Sequence, residues 1–196
     1  MSTFNMPFRS TKAGLSRRNF IGFVLCAGTS VLAPKVVLAA IDEVTTAEKS
    51  LSLYNPHTKD SFSGVYWHNG KYVNDALKNI NHIMRDFRAQ DIKQIDTHLL
   101  DLLYAITVRL KPEKPFHVIS GYRSPETNAK LRKRGKGAAK NSYHIQGKAV
   151  DIRLPGYRTS VLRKTAYKMK RGGVGYYPNQ KFVHIDVGPI RYWKRT

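Results

Sequence analysis

Three side chains in two short stretches of the sequence have the residue types and spacing of a metal site. His144 precedes Asp151 by seven residues, and His184 lies in a second stretch, residues 182–188. Two imidazoles and one carboxylate suit Zn²⁺, and three protein ligands leave a fourth position for water, as in catalytic zinc sites. Bound zinc lowers the pKa of that water and polarises a carbonyl group. On spacing alone, separate polar side chains on amphipathic strands remain the alternative.

Both stretches have the alternation of β-strands, in which successive side chains point to opposite faces. If residues 149–154 pair with residues 182–187, Asp151 and His184 lie side by side on one face, and Asp186 shares that face. His144 then enters from the loop before the first strand. The opposite faces carry the apolar rows Val150, Ile152 and Leu154, and Val183, Ile185 and Val187.

Turn signals, cap signals and apolar periodicity predict the elements that position these strands. Asn69-Gly70 indicates a tight hairpin turn, and Ser124-Pro125 indicates a helix start with proline in the first turn. The predicted helices span residues 74–88, 96–110, 124–134 and 160–170, and Asn74 is expected to cap the first of them. The predicted strands span residues 51–54, 65–68, 71–73, 116–120, 149–154, 174–177 and 182–187. Helices and strands do not alternate regularly, so we expect a single α+β domain with a small antiparallel sheet and flanking helices.

Residues 1–39 have the features of an export signal rather than of the fold. They contain five basic residues and no acidic one, and residues 16–21, with Arg17 and Arg18, closely resemble the twin-arginine signature. Small or modest residues at 37–39 offer a signal peptidase site, so we expect cleavage after Ala39, a domain over residues 40–196 and a periplasmic location. An uncleaved N-terminal membrane anchor is the alternative.

Charge and cysteine content exclude several classes of protein. The chain has 34 Lys and Arg against 13 Asp and Glu, a net charge of +21, and removal of residues 1–39 leaves about +16. The single cysteine, Cys26, excludes a disulfide scaffold and a Cys-rich zinc module. A basic exported protein is attracted to polyanions, which in a bacterial envelope are murein peptides and anionic lipid headgroups. Nucleic acid is a poor candidate partner, and we expect a monomer.

The basic segment 130–140 is expected to be a solvated loop, or alternatively a contact to murein or lipid.

One ten-residue motif resembles that of a known enzyme family. It is Ser142-x-His144-x-x-Gly147-x-Ala149-x-Asp151, followed by His184 on a later strand. The pattern looks like that of the zinc D-Ala-D-Ala peptidases, whose superfamily includes lysostaphin-type peptidases and the hedgehog signalling domain. Residues 121–124 also match, and residues 173–177 with 182–186 are typical of the family's periplasmic murein endopeptidase branch. The resemblance covers about residues 51–193.

The resemblance implies roles for particular residues. His144, Asp151 and His184 would bind zinc, and Arg123 would stabilise a developing oxyanion or hold a substrate carboxylate. A structural ion pair is the alternative for Arg123. Ser142 is expected to bond near the site or to stabilise a turn. Four aromatic residues are expected to line a substrate groove or to pack in the core: Tyr143, Tyr176, Tyr177 and Trp193.

The sequence departs from the family pattern at the catalytic base. Many relatives place a Glu three residues, or a His two residues, before the last zinc ligand, where this chain has Lys181 and Phe182. Asp186 is the expected replacement, because it shares the face of His184 and could accept a proton from water. The alternative is that Asp186 orients a zinc ligand.

Together these observations predict an exported zinc metallopeptidase that hydrolyses amide bonds in peptidoglycan stem peptides, with cross-link cleavage favoured over trimming of a terminal residue. The alternative is a zinc-stabilised murein-binding protein with little or no catalysis, which the residues at 181 and 182 support. A basic protein of the envelope surface is the third hypothesis.

Overall fold

A computed structural model describes residues 48–135 and 138–195 of the chain. The predicted export signal and its cleavage site lie outside these residues. Within these two ranges, none of the helices combines the length and apolar character that a membrane span requires.

One eight-stranded sheet runs through the fold, in the order β3-β2-β1-β4-β5-β7-β6-β8. Its strands are β1 Glu48–Tyr54, β2 Ser61–His68, β3 Lys71–Tyr72, β4 Phe116–Ser120, β5 Ala149–Arg153, β6 Gly173–Tyr177, β7 Phe182–Asp186 and β8 Arg191–Lys194. The helices are α1 Asn74–Ile83, α2 Thr97–Leu110, α3 Pro125–Lys133 and α4 Thr159–Met169. The predicted α+β class is confirmed. The sheet is larger than expected, and the β1–β4 and β6–β8 pairs are parallel while the other neighbouring strands are antiparallel.

The apolar rows predicted on the two central strands form part of the core. Val150 and Ile152 of β5, with Val183 and Ile185 of β7, are fully buried. Helix α4 packs on β6 and β7, and α2 packs on β1. Since alternate side chains of a strand point to opposite faces, burial of this row turns Asp151 and His184 to the other face of the sheet, where the candidate site lies.

Local signals that the sequence predicts are confirmed at two element boundaries, and a third boundary has a side-chain cap that was not predicted. Asn69 and Gly70 take φ values of 46° and 83° in the β2–β3 hairpin, as a tight turn between antiparallel strands requires. The Ser124 side chain accepts a hydrogen bond from the Thr127 N–H at the start of α3. The Asp96 carboxylate accepts one from the His98 N–H at the start of α2, so both helix starts are capped by side chains.

Helix α1 is shorter than predicted: it ends at Ile83 rather than at residue 88, and Asn74 is its first residue rather than its cap. Distant groups bind the carbonyls at its C-terminal end. The Asn55 side-chain amide donates to the Ile83 carbonyl, and the Tyr122 N–H donates to the Met84 carbonyl at 2.7 Å. These tertiary hydrogen bonds satisfy groups that a longer helix would have used internally.

Candidate metal site

The β5–β7 pairing places the two predicted strand ligands side by side. Asp151 is the direct cross-strand partner of His184, as the alternation predicted. His144 lies in a short 3₁₀ helix, Tyr143–Gln146, immediately before β5. The Ser142 hydroxyl caps that helix by accepting a hydrogen bond from the His144 N–H at 3.3 Å, which is the turn-stabilising alternative for Ser142. Three separate elements therefore supply the three side chains.

One atom from each of these side chains meets at a single point. His184 Nδ1 lies 2.9 Å from Asp151 Oδ1 and 3.1 Å from His144 Nε2, and His144 Nε2 lies 3.4 Å from the same carboxylate oxygen. All three residues are buried, and they form a group that could hold a metal ion. The structure thus brings together the three predicted ligands.

In each imidazole, the nitrogen that points away from the cluster is hydrogen-bonded, and this bond determines whether the other nitrogen has a free lone pair. His144 Nδ1 lies 2.7 Å from the Gly121 carbonyl oxygen, which can only accept, so Nδ1 carries the proton and Nε2 does not. His184 Nε2 lies 2.8 Å from Asp186 Oδ2 and donates to it. In the neutral rings, His144 Nε2 and His184 Nδ1 therefore direct lone pairs toward Asp151. Three electron-pair donors at this spacing could hold a metal ion between them.

Burial and the neighbouring charged groups have opposing effects on the pKa values of the three side chains. Burial lowers the pKa of His144 below its usual value. Burial also acts to lower the pKa of His184, but the hydrogen bonds to Asp151 and Asp186 raise it above its usual value. Burial acts to raise the pKa of Asp151, and the two histidines nevertheless hold it well below its usual range. Asp151 is thus an ionised carboxylate at neutral pH.

Asp186 lies behind His184 rather than beside the meeting point of the three donors. Its Oδ2 accepts from His184 Nε2, and its Oδ1 accepts from the backbone N–H groups of Gly173 and Gly188. Arg191 donates to both oxygens, at 3.0 and 2.6 Å. The carboxylate is fully buried, and although burial opposes it, the bonds from His184 and Arg191 lower its pKa to about 2. These contacts favour the alternative in which Asp186 orients a zinc ligand, and the role of general base stays a prediction.

Arg123 is next to the cluster and is held by long contacts. Its guanidinium lies 3.3 Å from Asn128 Oδ1, 3.4 Å from Ser120 Oγ and 3.5 Å from Asp151 Oδ2. Its buried Nε has no hydrogen-bond partner among the residues that the structure describes. Burial lowers the pKa of Arg123, and the groups that oppose this effect include Asp151 and the Tyr177 hydroxyl. The weak tethering leaves donor capacity for a substrate oxygen.

Three glycines make room for the side chains around the metal site. A Cβ on Gly173 would lie 2.5 Å from Asp186 Oδ2, and a Cβ on Gly175 would lie 2.5 Å from the Trp193 indole. A Cβ on Gly188 would lie 2.4 Å from the Tyr143 ring. These distances are too short for carbon contacts, so a larger residue at any of the three positions would collide with a neighbouring side chain.

The site opens into a cavity of about 610 Å³. Three of the four aromatic residues expected to line a groove or to pack in the core line this cavity: Tyr143, Tyr177 and Trp193. The fourth, Tyr176, packs against the core. Sequence reasoning missed strand β8 and the cations near it. Those additional lining residues are Arg191, Lys194 and Arg195. Of the acidic residues in the described ranges, only Asp151 lines the cavity, so the opening has a strongly cationic wall.

The remaining histidines make contacts away from this cavity. His57 stacks on Phe87, and His117 packs against Tyr54. His68, His82 and His98 each lie beside an acidic side chain: Glu48, Asp60 and Asp96, respectively. None of the five belongs to the metal-binding group found in the described residues.

An ionised carboxylate and two oriented imidazoles at the floor of a cavity, on an α+β sheet, define the class of metal-dependent hydrolases. Comparison with known proteins identifies the family. The profile described as peptidoglycan L,D-endopeptidase MepK matches residues 43–193, so the chain belongs to that family. The metallopeptidase and murein endopeptidase class that the motifs predicted is thereby confirmed.

Individual relatives agree with the family match over nearly their whole length. Peptidoglycan L,D-endopeptidase MepK of Escherichia coli K12 is 41% identical over 182 residues, which is 93% of this chain and 99% of the relative. The probable peptidoglycan L,D-endopeptidase MepK of Haemophilus influenzae is 37% identical over 171 residues, which is 87% of this chain and 90% of the relative.

Proposed function

We propose that this chain is a zinc-dependent endopeptidase of the periplasm that hydrolyses an L,D amide bond in peptidoglycan cross-links. The convergence of His144 Nε2, Asp151 Oδ1 and His184 Nδ1 at the floor of the cavity is the observation that carries the proposal. The names of the relatives supply the bond class. The resemblance of residues 16–21 to the twin-arginine signature supports export, with a mature chain over residues 40–196.

The donor set fits zinc among the metals available to a cell. Imidazole and carboxylate ligands without a cysteine are typical of catalytic zinc sites with three protein ligands. When bound there, zinc would supply a Lewis acid that polarises the scissile carbonyl and lowers the pKa of a water molecule. Gly121 and Asp186 hold the two imidazoles in the tautomers that binding requires.

The cavity wall suits the substrate that the family names imply. Murein stem peptides carry free carboxylates, and Lys194 and Arg195 line the cavity along with Arg123. Arg123 can bind a substrate oxygen beside the three donors, because its guanidinium lies 3.5 Å from Asp151. It would hold a carboxylate or stabilise the oxyanion that forms at the carbonyl. We also propose that the protein is a monomer and that its positive charge attracts it to the anionic surfaces of the envelope.

A murein-binding protein without efficient catalysis is the second candidate. It is favoured by one observation: in the described part of the chain, no carboxylate or imidazole besides the three ligands lines the cavity. Lys181 and Phe182 occupy the positions of the bases found in many relatives. In the described cavity wall, no further carboxylate or imidazole is therefore placed to accept a proton from water.

Digestion of purified sacculi separates the two candidates. The zinc-loaded protein should convert cross-linked muropeptide dimers to monomers whose masses identify an L,D bond, a chelator should stop the reaction, and added zinc should restore it. His144→Ala should abolish turnover, whereas His98→Ala, which changes an exposed histidine outside the cavity, should not. Sacculus binding with no change in any muropeptide, from protein shown to contain zinc, would favour the binding protein.

A further inference from the structure

Tyr177 occupies a fixed position on the wall of the metal-site cavity. It is the last residue of β6, and its cross-strand partner is Phe182 of β7. The two rings stack with centroids 4.4 Å apart and an angle of 16° between their planes. Tyr177 shares the face of Gly175, which is the partner of His184. The sheet therefore places the Tyr177 side chain on the same face as the metal ligands.

The Tyr177 hydroxyl has a proton available for a ligand. Trp193 Nε1 lies 3.0 Å from this oxygen, and an indole N–H can only donate, so the hydroxyl oxygen accepts there. The phenol proton must then point elsewhere. In the described ranges, no protein acceptor takes it, and Tyr177 lines the cavity. The hydroxyl is thus a neutral donor that one hydrogen bond has already oriented.

Trp193 is itself held in place on three sides. Its ring lies 5.2 Å from the His184 ring and 5.2 Å from the Arg191 guanidinium. Beneath it is Gly175, where any side chain would collide with the indole. The indole N–H therefore has a defined direction, and its hydrogen bond orients the Tyr177 hydroxyl.

We propose that Tyr177 is a catalytic residue whose hydroxyl donates a hydrogen bond to the scissile carbonyl oxygen as that oxygen gains negative charge, and that Trp193 is its positioning residue. This inference rests on the proposed function, since it assigns a role in hydrolysis at the same site. Donors fixed before the reaction stabilise developing charge without reorganising. A phenol suits this site because, unlike the Arg123 guanidinium, it is not already paired with the Asp151 carboxylate.

Tyr177→Phe tests the proposal because it removes one hydroxyl and keeps the stacked ring. We expect kcat on a cross-linked muropeptide to fall about 10²-fold, as for loss of an oxyanion donor, with KM changed less than about twofold because ground-state binding is retained. Zinc content should be unchanged. Tyr192→Phe is the matched control, since Tyr192 is exposed on β8 and its hydroxyl lies 3.4 Å from the Tyr167 carbonyl oxygen.

A binding measurement gives a readout that does not depend on turnover. A phosphinate analogue of the L,D-dipeptide unit mimics the tetrahedral geometry and charge of the reacting carbonyl. Calorimetry should show that Tyr177→Phe weakens binding of this analogue at least tenfold, while the affinity of metal-free protein for an uncleaved muropeptide stays within about twofold. Equal loss of both affinities would overturn the proposal, because it would show a general binding role.

A double-mutant cycle tests Trp193. Trp193→Phe removes the indole N–H and keeps an aromatic ring, and we expect kcat to fall about tenfold in the wild-type background and not at all in the Tyr177→Phe background. A purely structural role would lower kcat in both backgrounds and would overturn the positioning assignment.

The outcomes distinguish failure of this inference from failure of the proposed function. If wild-type protein cleaves sacculi and Tyr177→Phe does so with unchanged kcat and unchanged phosphinate affinity, only the role of Tyr177 is wrong. If zinc-loaded wild-type protein neither cleaves sacculi nor binds the phosphinate, the proposed function is wrong, and this inference fails with it.

Discussion

Asp186 and His184 act as a pair in which the carboxylate determines what the imidazole can do. Asp186 accepts from His184 Nε2, and two backbone N–H groups and Arg191 occupy the rest of its oxygens. A carboxylate held in this way fixes the tautomer and the direction of the imidazole and increases its basicity toward a metal. We therefore expect Asp186 to act on metal affinity rather than on proton transfer from water.

Replacement of Asp186 by Asn should weaken zinc binding about 10–100-fold, as substitution of such orienting carboxylates does. The amide keeps the shape but loses the charge, and it leaves Arg191 without the anionic partner now 2.6 Å away. Competition with a chromogenic chelator measures the affinity. Asp75→Asn is the control, since Asp75 is an exposed residue of α1 paired with Lys78. Unchanged zinc affinity with turnover abolished would return Asp186 to the role of base.

At the scale of elements, strands β6 and β8 form the wall behind the metal ligands. They pair in parallel, with Gly175 opposite Trp193 and Gly173 opposite Arg191. The glycines of β6 leave space that the large side chains of β8 fill. A regular strand pair with side chains at both positions could not place an indole and a guanidinium this close to His184 and Asp186.

Gly175→Ala should therefore disturb the site from the strand beneath it. The new Cβ would lie 2.5 Å from the indole of Trp193, and overpacking of this kind costs about 1–3 kcal/mol. We expect reduced stability in urea unfolding and a loss of turnover as Trp193 moves. Gly64→Ala on β2 is the matched control, because the nearest atom to its Cβ would be 3.5 Å away, in Phe62. Wild-type turnover in Gly175→Ala would contradict the wall as described.

Strands β5 and β7 were predictable because their alternation of apolar and polar residues is a local pattern. The facing of Asp151 and His184 follows from that pattern and is confirmed. Strand β8 was not predictable in the same way, because it has four residues and depends on pairing with β6. The end of α1 was mispredicted for a related reason: Asn55 and Tyr122 bind its last carbonyls from distant parts of the chain. The position of Asp186 behind His184 depends on side-chain geometry that strand alternation does not specify.

At the scale of the molecule, the three predicted ligands come from parts of the chain that are distant in sequence. His144 and His184 are separated by forty residues and belong to a 3₁₀ helix and to β7, with Asp151 on β5 between them. An unfolded chain cannot hold these groups together, so a metal that needs all three binds the folded state selectively. Selective binding of this kind couples metal concentration to global stability.

Zinc should therefore raise the melting temperature of the metal-free protein. At a free zinc concentration 100-fold above Kd the stabilisation is about 2.7 kcal/mol, which for a domain of this size corresponds to about 5–10 °C. His144→Ala should lose most of the shift, because it removes one of three ligands, whereas His98→Ala, which changes an exposed histidine paired with Asp96, should keep it. Differential scanning fluorimetry across a zinc titration measures the effect. An equal shift in His144→Ala would mean that zinc stabilises the protein through another site, and the metal-binding role of the His144–Asp151–His184 group would then be wrong.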